Sequence, residues 1–170
     1  MYLFFDTETT GLPRNWNAPV SDLDNWPRLV ELAWLLYDEE GDAVESRSAI
    51  VKPNGFEIPA QATAVHRIDT ARALAQGVAL SPLLDEFARV VDISRVLVAH
   101  NMSFDEKIIG AELLRAGVWS KFDKRERFCT MKASTDLCAI PSRYGFKWPK
   151  LSELHQKLFG TIPDDAHAAG

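Results

Sequence analysis

The chain has 170 residues, 46% hydrophobic and 25% charged, with a formal net charge of −5. That balance is enough for the core of one domain and excludes a disordered or disulfide-stapled chain. No apolar run approaches the ~20 residues of a membrane helix, and MYLFFDTE opens without the basic segment of a signal peptide.

Cys129 and Cys138 have no Cys or His partner at zinc-finger spacing. They read as reduced thiols of a cytoplasmic protein. The sequence pI of about 5.4 argues weakly against a nucleic-acid binder. Net charge is an average, however, and carboxylates that hold a cation can coexist with a basic patch elsewhere. Arg125, Arg127, Lys132, Arg143, Lys147 and Lys150 lie close in sequence and form either such a patch or a solvated surface.

In chain order, Tyr2 to Phe5 is an aromatic-rich apolar run ending in Asp6, which predicts a short buried strand. Thr9, Thr10, Gly11 and Pro13 break it, and a loop runs to about Pro27. Arg28 to Tyr37 reads as a second strand, although the periodicity of LVELAWLLY also fits a helix. A turn at Asp38–Gly41 and a strand over Ala43–Val51 complete an expected hairpin.

The pattern then becomes helical. Pro59 suits the first turn of a short helix to about Val65. Ser81-Pro82 reads as an N-cap and first position, with Leu83, Leu84, Phe87, Val90 and Val91 along one face. Val96 to Ala99 is a short buried strand. Ser103-x-x-Glu106 reads as a capping box opening a helix with Phe104, Ile108, Ala111 and Leu114 inward, ending near Gly117. Leu151 to Phe159 is a last helix with Gly160 as its C-cap. No repeat or linker divides the chain. Three strands followed by helix–strand–helix alternation predict a mixed α/β sheet with helices packed on it.

Two segments carry candidate chemistry. In Asp6-Thr7-Glu8, residues i and i+2 of an extended segment point to the same face. Two carboxylates so close repel unless a cation lies between them, and Mg²⁺ or Mn²⁺ is the hard, oxygen-seeking occupant. A bare Asp-x-Glu is also common by chance. His100 to Asp105 follows the Val96–Ala99 strand. Asp105 in a first helical turn has a ready structural role, since an acid there stabilises the helix by roughly 0.3–1 kcal/mol. Both segments nevertheless follow strand ends, where sites of open α/β sheets gather. His167, near the C-terminus, carries no signal by itself.

Together these segments resemble the DEDD exonuclease superfamily in its His-containing branch (DEDDh), typified by the proofreading epsilon subunit of bacterial DNA polymerase III. The first motif is matched by FDTETTGL at Phe5–Leu12, the second by HNMSFD at His100–Asp105, and the third begins as AHAAG at Ala166–Gly170. AVHRI at Ala64–Ile68 and WPKLSELHQKLFG at Trp148–Gly160 are similar to further family segments.

The resemblance implies a ribonuclease H-like fold and 3′→5′ hydrolysis of a nucleic-acid end to nucleoside monophosphates, with single-stranded DNA favoured over RNA. It implies two divalent ions, Mg²⁺ or Mn²⁺, held by Asp6, Glu8 and Asp105, with Asp6 bridging. His167 would act as general base, a task suited to a group titrating near ~6.5. Thr9, Leu12, His66 and Asn101 would position the terminal nucleotide, and a DNA polymerase subunit is a further implied partner. The family places a fourth carboxylate five residues after the His. Counting from His167 runs past Gly170, so the expectation is one exonuclease domain over 1–170, truncated, one carboxylate short and with little or no activity. An RNA exonuclease and a non-catalytic binding module are the alternatives. Tyr144, Phe146 and Trp148 are suited to stacking bases near basic residues, but core or loop packing is the first expectation for them.

Overall fold

The computed structural model describes residues 1–162. Three strands open the chain: β1 (Tyr2–Thr9), β2 (Leu29–Tyr37) and β3 (Ala43–Ile50). Helices α1 (Ala60–His66), α2 (Thr70–Gln76) and α3 (Leu80–Ile93) follow, then β4 (Val96–Ala99) and α4 (Met102–Ala116). A 3-10 turn at Phe122–Lys124 leads to β5 (Glu126–Cys129). The chain continues through one-turn helices α5 (Thr130–Ala133) and α6 (Thr135–Cys138), a small hairpin of β6 (Pro141–Ser142) and β7 (Gly145–Phe146), and α7 (Leu151–Phe159).

The five longer strands form one mixed sheet in the order β3-β2-β1-β4-β5. β1, β2 and β3 pair antiparallel, whereas β4 runs parallel to β1 and β5 parallel to β4. The predicted α/β architecture with flanking helices is the observed one. LVELAWLLY is a strand, because its alternate residues Leu32, Trp34 and Leu36 are buried on one face.

Period-2 alternation divides β1 into two rows. Leu3 and Phe5 face a core shared with Trp34, with Leu83, Leu84 and Phe87 of α3, and with Ile108, Ile109 and Ala111 of α4. Tyr2, Phe4, Asp6 and Glu8 form the opposite row, with Tyr2, Phe4 and Asp6 exposed and Glu8 half-buried. Phe5 stacks at ring-centroid distances of 5.6 Å on Phe87 and 6.0 Å on Phe122, so the apolar row is an aromatic knot. A second cluster of Val30, Ile58, Ala62, Ile68 and Ala73 fixes α1 and α2 beside the sheet.

Several local expectations are corrected. β1 does not stop at Phe5 but runs through Asp6, Thr7 and Glu8 to Thr9, because β2 continues to pair with it. α3 begins at Leu80 with Ala79 as its N-cap, so Ser81 and Pro82 sit inside the first turn, where a missing N–H costs little. Ser103 is not a cap. The N-cap of α4 is Asn101, in the left-handed region with φ 74°, and the Ser103 hydroxyl donates to its Oδ1 at 3.1 Å. Leu114 is exposed, and Leu113 takes the inward place beside Ala111. α2, β5 and the short elements between β5 and α7 were not predicted; each is too short to show a period.

A buried ion cluster pins the long Gly11–Pro27 loop. Glu112, fully buried on α4, accepts from the Arg28 Nε at 2.8 Å, the Leu29 backbone N–H at 3.0 Å and Arg115 at 2.9 Å. Arg115 also donates to the Leu23 and Trp26 carbonyls. The charges satisfy loop carbonyls that would otherwise be buried without partners. The loop's Trp16 rests on Phe104, with ring centroids 5.7 Å apart.

Candidate active site

The candidate site lies at the carboxyl end of β1. Asp6 and Glu8 project from the same face and line one pocket with Glu31, Ala33 and Ser48. Glu31 arrives there by register, because it is the cross-strand partner of Glu8. One step further a β-bulge shifts the pairing, so that Thr9 faces Leu29. Bulges of this kind re-aim side chains beside functional sites. The Ser48 hydroxyl of β3 donates to Glu31 Oε1 at 2.7 Å and holds that carboxylate.

Asp105 reaches β1 from the other side of the sheet. It sits in the first turn of α4 and is only 2% exposed. Its Oδ1 accepts from the Thr7 backbone N–H at 3.1 Å and from the Thr7 hydroxyl at 2.7 Å. Thr7 is the residue between Asp6 and Glu8, so the second motif is bonded directly to the first. A solvated helix-cap acid would not be buried in this way.

The electrostatics are those of crowded like charges. Burial first, then the charges of Asp6 and Glu31, push Glu8 up to about 7. Burial and then Asp6 hold Asp105 well above the usual carboxylate range, against the opposing Thr7 hydrogen bonds. Asp6 therefore acts on both of the other acids, as a shared member of the set. Among the described residues neither Glu8, Glu31 nor Asp105 is ion-paired with Lys, Arg or His.

An all-carboxylate donor set with this mutual repulsion fits a hard divalent cation, not a thiolate-bound metal. Neither cysteine is part of it. Among the described residues no three His, Cys, Asp or Glu side chains are grouped closely enough to hold a metal ion together. The three acids are instead linked in pairs through Asp6 and Thr7.

His100 lies close to Asp6, whose charge acts on it. Its Nε2 faces the Pro149 carbonyl at 3.0 Å and its Nδ1 the Thr130 hydroxyl at 3.0 Å. A carbonyl only accepts, so the proton sits on Nε2 and Nδ1 accepts from Thr130. Burial lowers the ring's pKa, with the Pro149 bond and Asp6 opposing. A neutral His100 thus ties the end of β4 to the segment before α7.

The other predicted positions are spread around this end of the sheet. Thr9 is buried, and its hydroxyl donates to the Gly11 carbonyl at 2.7 Å, which shapes the turn out of β1. Leu12, just beyond, is 72% exposed. Asn101 is the α4 N-cap described above. His66 ends α1, buried, with its Nδ1 accepting from the Ile68 N–H at 3.2 Å. His167 lies outside the described residues. Glu31, Ser48 and Thr7 were missed from sequence. Glu31 becomes visible only once the β1–β2 register is known, and Thr7 was treated merely as the spacer between two acids.

Solved structures of exonuclease I share this fold. The chain aligns with E. coli exonuclease I in complex with a dT13 oligonucleotide at TM-score 0.72 and 17% identity, over 92% of this chain and 35% of that one. The zinc-bound E. coli exonuclease I–single-stranded DNA complex gives TM-score 0.74 and 18% identity, over 98% and 36%. A complex titled ExoI/SSB-Ct gives 0.75 and 16%, over 97% and 37%. The chain thus spans little more than a third of the length of these proteins. No curated protein sequence gives a significant match. A family model described as an exonuclease, RNase_T, matches residues 3–169, and the chain belongs to that exonuclease family.

Proposed function

We propose that this chain is a 3′→5′ exonuclease domain that hydrolyses the terminal phosphodiester of single-stranded DNA, releasing nucleoside monophosphates. The observation that carries the reading is the linkage of Asp6, Glu8 and Asp105 through Thr7, at a strand end of a chain in an exonuclease family. The single-stranded oligonucleotides named with the exonuclease I structures support the choice of substrate.

Asp6, Glu8 and Asp105 would hold two divalent ions, Mg²⁺ or Mn²⁺. Such ions, when bound, stabilise the attacking and leaving oxygens of an in-line displacement. The chain's own residues arrange the rest. Asp6 is exposed on the outward row of β1 and is the acid shared between Glu8 and Asp105. Thr7 fixes Asp105 through two hydrogen bonds, so its carboxylate is oriented before substrate arrives. The Thr9 turn presents Leu12 to solvent beside the site, where its apolar side chain packs on the terminal base. Asn101, at the start of α4, and His66 complete the nucleotide-positioning set. His167 takes the proton of the attacking water. Proofreading beside a DNA polymerase, as in the epsilon subunit, is the role this activity would serve.

The test uses the full chain. A 5′-labelled single-stranded DNA oligonucleotide is incubated with Mg²⁺ or Mn²⁺ and its products are sized. A ladder shortening from the 3′ end, abolished by EDTA, is expected. Internal cuts, or no shortening with either metal, would overturn the reading. A matched RNA oligonucleotide degraded faster would move the substrate to RNA.

A further inference from the structure

The small hairpin between α6 and α7 carries a run of exposed aromatic side chains. Tyr144 is 87% exposed, Trp148 60% and Phe146 50%. Three aromatic side chains within five residues have not entered any core, contrary to the packing expected from their hydrophobicity. The hairpin is nevertheless ordered by its own bonds. β6 and β7 pair, the Ser142 hydroxyl donates to the Gly145 carbonyl at 2.9 Å, and the Lys147 N–H donates to the Ile140 carbonyl at 3.0 Å.

Cations are set beside these rings. The Arg143 guanidinium lies 5.3 Å from the Tyr144 ring centroid, and the Lys132 ammonium 6.0 Å from that of Trp148. Neither Lys132 nor Arg143 has an ion-pair partner among the described residues. Lys147 is held by Glu153 at 2.7 Å. From Ile140 to Lys150 the chain has three cationic residues and no acid, against a net charge of −5 overall. Arg125 and Arg127 do not join this patch. Arg125 donates to the Asp92 carbonyl at 2.7 Å, and Arg127 pairs with Glu106 at 3.3 Å.

The patch is tied to the candidate active site by one side chain. His100, whose ring feels Asp6, bonds the Pro149 carbonyl immediately after Trp148. Exposed rings interleaved with unpaired cations suit a flexible polyanion with free π-faces. An apolar protein surface would not call for the cations. A duplex would keep its bases stacked on one another and unavailable to the rings.

We infer that the β6–β7 hairpin, through Tyr144, Trp148, Arg143 and Lys132, is a docking surface for single-stranded nucleic acid, engaging the strand upstream of the terminal nucleotide. Binding by the hairpin stands on its own observations. Only the direction of the strand, leading into the Asp6 end of the sheet, rests on the exonuclease reading.

The experiment is fluorescence anisotropy of a labelled dT15 oligonucleotide with the full chain in EDTA, where hydrolysis is off. The Tyr144→Ala/Trp148→Ala double variant is expected to bind at least about tenfold more weakly, since two base-stacking contacts are removed. Arg143→Glu/Lys132→Glu is expected to bind more weakly and to flatten the salt dependence by about two counterions. A natural chain that fails to bind dT15, or variants that bind as it does, would overturn the inference; in the first case a protein partner would have to be sought for the rings. Intact binding without any metal-dependent shortening would sink the exonuclease reading and leave the hairpin surface standing.

Discussion

The two rows of β1 differ in everything except backbone. Leu3 and Phe5 are buried under α3 and α4, whereas Tyr2, Phe4, Asp6 and Glu8 form the opposite row, three of them open to solvent. One strand of eight residues thus builds the core with one parity and the candidate site with the other. The rigid row determines where the acidic row stands. Because Phe5 is locked between Phe87 and Phe122, Asp6 has little backbone freedom. Carboxylates that repel each other hold position only on a support whose own stability does not depend on them. Thr7 is the exception that joins the rows, since it points inward yet holds Asp105 beside the outward acids.

The contrast breaks most sharply at neighbouring residues. Phe5→Ala is expected to cost about 3–5 kcal/mol of folding stability, as for other buried aromatic truncations, read as the midpoint of urea unfolding. Phe4→Ala, one residue away and 40% exposed, is expected to cost less than half of that. Equal losses would show that the outward row also carries the fold. Asp6→Asn is expected to reverse the pattern, with activity falling by about a hundredfold or more and stability unchanged or higher, because repulsion on Glu8 and Asp105 is relieved.

Thr7→Val sharpens the link between rows. It keeps the shape but removes the 2.7 Å hydroxyl bond to Asp105. A loss of about 1 kcal/mol in stability is expected, together with weaker activation by Mg²⁺ at unchanged substrate KM. An increase in KM alone would place Thr7 in substrate binding instead.

The outward row is also expected to respond to pH. Burial and two neighbouring carboxylates raise Glu8 from its usual 4.5 to about 7 in the folded chain. A raised folded value means that its contribution is fully present below the unfolded value and is lost as pH rises through the folded one. In EDTA, stability is therefore expected to decline between about pH 4.5 and 7. Glu8→Gln is expected to flatten that decline, and Mg²⁺ to counter it above pH 7. Unfolding curves of the two proteins at pH 5 and 8 check this, and equal slopes would contradict it.

Much of this arrangement is legible in the residues. The parity of Asp6 and Glu8 follows from period-2 geometry, and the alternation of LVELAWLLY settles as a strand once its partners are known. Other features depend on contacts between distant segments. Glu31 joins the pocket because of the β1–β2 register and the bulge beside it. Asp105 leaves its ordinary helix-cap role because β4 runs parallel to β1 and delivers α4 against Thr7. β5 escaped notice because ERFC is four residues long and bears two charges. The exposed hairpin rings escaped because hydrophobicity predicts burial, whereas flanking cations and a two-residue turn leave them no core to enter. His167 falls on residues that the structure does not describe.

The central claim is that the outward end of β1, with Asp105, holds divalent ions. Calorimetric titration of Mn²⁺ into the natural chain and into Asp6→Asn tests it most directly. The account predicts saturable binding to the natural chain, weakened about tenfold or more by the substitution, with both proteins folded by circular dichroism. Equal Mn²⁺ binding by the two proteins, or none by either, would contradict it.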